Sequence, residues 1–106
     1  MSSTHQKIAF LLERIRDKAR VVERMTVDLK HDLNASDLTH VAGKMKVGMA
    51  ITRMNSLAKE LSELEGLYEA ANALGVPYED MVTAAQGERE EFYDLFDSYL
   101  GEGVEA

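Results

Sequence analysis

The sequence lacks cysteine and tryptophan and holds a single proline, Pro77. Without cysteine there is neither disulfide nor thiolate chemistry, a composition that fits a reducing compartment. No apolar run approaches the ~18 residues of a membrane span, and the start, Met1 to Gln6, has neither the basic stretch nor the apolar core of a signal peptide. The expectation is a cytoplasmic protein, in which the sequon Asn34-Ala35-Ser36 carries no glycan. Val and Ile never alternate with polar residues over four or more positions, so there is no strand signal. The Gly-rich phosphate loop, the nucleophile elbow and the HExxH motif are all missing. No carboxylate stands alone in an apolar run where burial would tune it for proton transfer. Neither an enzyme nor a cofactor is expected.

Positive charge is nearly absent from the second part of the chain. Residues 1–60 carry eleven Lys/Arg against seven Asp/Glu, whereas residues 61–106 carry Arg89 alone against twelve acids. Such a split means either that the halves neutralise each other or that one of them is an interaction surface. The net charge of −7 disfavours wholesale nucleic-acid binding, although the basic half taken alone does not.

What is present is helical periodicity. With 106 residues and a hydrophobic share of 45%, the chain reads as one folded domain, residues 1–106. Ile8, Leu11, Ile15, Val22, Met25 and Leu29 recur at 3–4 spacing, widened by Leu12 and Ala19, and predict a first helix over about 4–31. Asp32 to Ser36 breaks the pattern, and Ser36 or Asp37 is placed to cap a second helix over about 37–74. On that second helix Leu38, Val41, Ala42, Met45, Met49 and Thr52 share one face. Met54, Leu57, Leu61, Leu64 and Tyr68 share another, rotated by roughly 130° at 100° per residue. A heptad drift of about 20° cannot produce that jump. Either the helix kinks between 43 and 52, near Gly43 or Gly48, or its middle, from Val47 to Met54, is buried on both sides within an oligomer; the second reading is preferred. Gly75 and Pro77 punctuate the chain as a left-handed helix end and a new helix start. A third helix over about 77–100 carries Val82, Ala85, Arg89, Phe92, Phe96 and Tyr99, with Gly87 as a soft point and a flexible tail over 101–106.

Three sets of residues are candidates for function. Glu88, Glu90, Glu91, Asp94 and Asp97 surround the aromatics of the third helix, and Tyr93 lies off its apolar stripe, giving an acidic and aromatic protein-binding face. Dense carboxylates on a rigid helix can also imitate a nucleic-acid phosphate track. The competing reading is a solvated face that keeps the protein soluble. Arg16, Arg20 and Arg24 repeat every four residues and form a ridge able to follow phosphates, but Glu13, Asp17 and Glu23 are interleaved as ion-pair partners and no aromatic is placed to stack bases. Phe10 and Val21 lie opposite the main stripe of the first helix and, with Val47, Ile51 and Met54, outline an oligomer interface. The pairs Asp28/His31 and Asp37/His40 have i, i+3 metal-ligand spacing, but they flank a turn where Asp is equally expected for capping, and no metal is expected.

These readings converge on an all-α fold: a long antiparallel helical hairpin with a third helix packed on it, coiled-coil-like and completed by homodimerisation. The expected function is a non-catalytic adaptor or inhibitor that binds a protein partner through the acidic and aromatic surface. A nucleic-acid-binding regulator using the arginine ridge is the alternative, and a structural assembly subunit the third.

Overall fold

The computed structural model describes residues 2–35 and 41–105, with side chains described over 4–34 and 48–101. The fold is all-α, with no strand among the described residues. Four helices follow one another: α1 (Ser2–Ala35), α2 (Val41–Ala73), α3 (Tyr78–Gln86) and α4 (Arg89–Glu105). α2 runs unbroken past Gly43 and Gly48, and α4 remains helical through Glu105, where a flexible tail was expected. The capping residues Ser36 and Asp37, along with Leu38 and His40, lie outside the described residues, as do the side chains of Val41, Ala42, Met45 and Val47.

Contacts group the chain into two compact units, Met1–Arg20 with Glu63–Ala106, and Val21–Ser62. The first has an apolar core. α1 contributes Ile8, Ala9, Leu12 and Ile15, α2 contributes Leu64 and Ala71, α3 contributes Met81 and Ala84, and α4 contributes Phe92, with Val76 buried in the turn between α2 and α3. Leu12, Ile15 and Phe92 are fully buried, each contributing about 1.5–3 kcal/mol relative to exposure. Lys18 Nζ donates to Glu63 Oε2 at 2.6 Å, and Tyr99 Oη donates to Asp80 Oδ2 at 2.6 Å, tying α4 to α3. Burial pushes the Tyr68 phenol above its ordinary range, and the neighbouring Tyr78 adds to the effect.

The end of α2 follows from two residues. Gly75 adopts φ +87°, a conformation that costs a residue with a Cβ dearly. In that geometry Gly75 N–H reaches Asn72 O and Val76 N–H reaches Ala71 O, closing the carbonyls that the last turn leaves open. Pro77 then stands as the N-cap of α3, with Glu79 and Asp80 in the first turn where the helix dipole favours acids.

The expected third helix is two helices. Gly87 is extended (φ −63°, ψ 149°), and its N–H bonds to Thr83 O at 2.7 Å. A Cβ at Gly87 would collide with the Thr83 carbonyl oxygen, so the chain can turn this tightly only at glycine. The break resets the helical phase. The stripe extrapolated from Val82 and Ala85 to Phe92 does not hold, and Met81 and Ala84 are the buried residues of α3.

The inward stripe of α2 also differs from the expected one. Ala50, Arg53, Leu57, Glu60, Leu64, Leu67 and Ala71 recur at alternating 3 and 4 spacing, and all are buried or half-buried. Leu61, whose apolar face is expected to turn into the core, is 46% exposed, and Met54, which shares that face and is expected at an oligomer interface, is 44% exposed. Arg53 and Glu60 occupy two positions of the real seam, so its apolar signal is interrupted and the neighbouring line of Met54 and Leu61 looks stronger.

Candidate interaction surface

α4 starts at Arg89, and Glu90 and Glu91 occupy its first turn. Phe92 turns inward, with Leu95, Phe96 and Tyr99 half-buried beside it. At 100° per residue the opposite side falls on Glu90, Asp94 and Asp97, related as i, i+4 and i+7, and all three are exposed. Glu88 and Glu91 are exposed as well. The structure therefore presents all five predicted carboxylates to solvent, and among the described residues none of them forms an ion pair. Like charges at i, i+3 and i, i+4 disfavour the helix by roughly 0.2–0.5 kcal/mol per pair, so this face is kept against a local cost.

Tyr93 stands at the margin of the acidic strip, 42% exposed. Its ring meets Phe92 edge-on at 5.5 Å between centroids. The guanidinium of Arg16 lies 5.4 Å from the Tyr93 centroid and that of Arg89 lies 5.5 Å away. Arg16 also sits 4.7 Å over the ring of Phe92. Its Nε is buried without a hydrogen-bond partner, a cost set against ring contacts worth about 0.5–2 kcal/mol each.

These contacts change the meaning of the arginine ridge. Arg16 is committed to aromatic rings, and Arg20 Nη2 donates to Gly87 O at 3.5 Å, beside the α3–α4 break. Neither neutralises an α4 carboxylate. Arg24 is exposed and belongs to the other unit. The position of Arg16 beside Ala9 and Leu12 on the wheel was the available sign that it faces inward.

The proposed oligomer residues Phe10, Val21, Ile51 and Met54 are all exposed, whereas the side chain of Val47 lies outside the described residues. Phe10 lines a depression of about 460 Å³ with Gln6, Lys7, Leu11 and Leu74, and Arg14 rests 5.6 Å from its ring.

Within the Val21–Ser62 unit the chemistry is different. Arg53 Nε donates to Asp32 Oδ2 at 2.5 Å, and its Nη1 lies 3.6 Å from Asp28 Oδ2. Asp32 is 3% exposed, a buried carboxylate whose charge the guanidinium balances. Asp28, half of the Asp28/His31 spacing, thus faces a cation, and His31 is exposed. Among the described residues no group of three or more His, Asp or Glu is placed to hold a metal ion; Asp37 and His40 lie outside them. Sequence reasoning did not foresee the Arg53 cluster, whose only trace is that Asp28 and Asp32 share one helical face.

Among the described residues no helix is long and apolar enough to cross a membrane. No family model, curated protein or solved structure matches the chain, so any reading of its role rests on this geometry.

Proposed function

We propose that the protein is a non-catalytic helical interaction module, an adaptor or inhibitor that binds a basic protein partner through the acidic surface of α4 and Tyr93. One observation carries this reading: the exposed carboxylates Glu88, Glu90, Glu91, Asp94 and Asp97 have no intramolecular cation among the described residues, while the nearby Arg16 is spent on aromatic rings. A cationic partner would relieve the like-charge repulsion along the helix and gain the half-exposed Tyr93 as an anchor at the rim. The five acids fall within roughly 13 Å of axis at 1.5 Å per residue, a linear density close to the ~3.4 Å per charge of one DNA strand. A protein that normally grips nucleic acid is therefore a fitting partner class.

The nucleic-acid-binding alternative is supported less, because Arg16 and Arg20 of its ridge are engaged within the fold. Reversing Glu90, Glu91 and Asp94 to Lys discriminates the two. The expected result is loss of partner capture from cell extract with an unchanged circular dichroism spectrum. In parallel, labelled duplex DNA should show no anisotropy change with the wild-type protein at about 50 mM salt. Capture that survives the reversal moves the site off α4, and DNA binding that collapses with salt favours the ridge.

A further inference from the structure

The Val21–Ser62 unit leaves a second apolar line on α2 uncovered. Ile51, Met54, Ala58 and Leu61 recur at spacings of 3, 4 and 3, and all four are exposed, Ile51 by 51%. This is the a/d spacing of a helix-pairing seam, displaced by roughly 110° from the inward stripe at 100° per residue. Neither flank carries a charge: Asn55 and Ser62 lie on one side, Ala50, Leu57 and Leu64 on the other.

We propose that this line packs against the same line of a second copy, with the two α2 helices antiparallel. The charge order along α2 selects both the occupant and the direction. In the sequence of the helix Lys44 and Lys46 lie before this line and Glu65 and Glu69 lie after it. An antiparallel pair sets the basic segment of each copy along the acidic segment of the other, whereas a parallel pair sets like against like. A two-fold axis midway between Ile51 and Leu61 brings those residues opposite each other and sets Met54 against the small Ala58, large facing small. Adaptable Met54 suits such a seam. The line spans about 15 Å of helix axis, short of the ~800 Å² per partner of a standard interface, so the dimer is weak and depends on concentration. The proposal goes beyond the acidic surface and shares no residue with it, so either can fail alone.

Sedimentation velocity of the full chain, from about 5 to about 500 µM at about 50 and 500 mM salt, tests it. The mass is expected to rise with concentration from 11.8 kDa toward twice that value, less so at high salt. Ile51→Glu and Leu61→Glu, both at exposed positions, should weaken association at least about tenfold with helical content intact. A wild-type chain that stays at 11.8 kDa throughout, or association indifferent to both variants, overturns the proposal; in the first case the line is left to a foreign helix. Direction is read separately, because the chain has no cysteine of its own. Ile51→Cys and Leu61→Cys proteins, mixed and oxidised, should form chiefly the mixed 51–61 disulfide. Predominant 51–51 and 61–61 products overturn the antiparallel arrangement.

Discussion

The two units solve the burial problem in opposite ways. The first, Met1–Arg20 with Glu63–Ala106, hides ten of the eleven buried apolar residues, drawn from all four helices and the Val76 turn. The second, Val21–Ser62, hides only Ala50 among its described apolar side chains and buries a carboxylate, Asp32, beside Arg53. Val21, Val27, Leu33, Met49, Ile51, Met54 and Leu61, the majority of the large exposed hydrophobics, belong to that second unit. Both units are built from helices, and they differ in how many packing partners each helix has. Four segments can enclose a core, whereas two helices offer each other one stripe and leave the rest of their surface open.

The comparison is broken most severely by emptying the first core. Phe92→Ala should cost about 3–5 kcal/mol, because Phe92 is 1% exposed and its loss also removes the ring under Arg16. Thermal melting would register this as a large drop; a melting temperature within a degree or two of wild type would show that the core lies elsewhere. Arg53→Ala comes next. It removes the guanidinium that balances the buried Asp32 carboxylate, and because the Arg53 side chain is 38% exposed, the cost should be about 2 kcal/mol rather than the ~3–5 of a fully buried pair. Hydrogen exchange should localise this loss to amides of 21–35 and 48–62, leaving α3 and α4 protected. Uniform loss over the whole chain would mean that the two units unfold as one.

The smallest effects compare two leucines three residues apart. Leu64→Ala should cost about 2 kcal/mol, since Leu64 is buried. Leu61→Ala should cost at most about 0.5 kcal/mol in dilute protein, as a surface substitution does. Equal costs in dilute urea titrations would erase the distinction between the inward stripe and the exposed line.

Much of this fold is readable from periodicity. Ile8, Leu12 and Ile15 mark the buried face of α1, and Gly75 with Pro77 marks the α2–α3 junction, because each signal is local and carried by residue type. The break at Gly87 was less legible. A glycine within a helical pattern signals a cost of only about 1 kcal/mol, and what ends α3 is the close approach of Gly87 to the Thr83 carbonyl. The α2 seam was hidden for a different reason. Arg53 and Glu60 sit where a seam is expected to be apolar, and the complement of Arg53 lies on α1, remote in sequence. The acidic strip of α4 could be anticipated from spacing alone. The place of Arg16 on Phe92 and Tyr93 could not, because it depends on which helices meet.

The Arg53–Asp32 pair has a consequence for register. Apolar heptad seams tolerate slippage, since one leucine replaces another with little loss. Slid by seven residues in one direction, α2 would offer Glu60 to Asp28 and Asp32, setting three carboxylates together. Slid in the other, it would offer Lys46, a single ammonium without the planar fork that reaches both aspartates. A sparsely packed pair of helices is thus held to one alignment by a residue that adds little to its depth of burial.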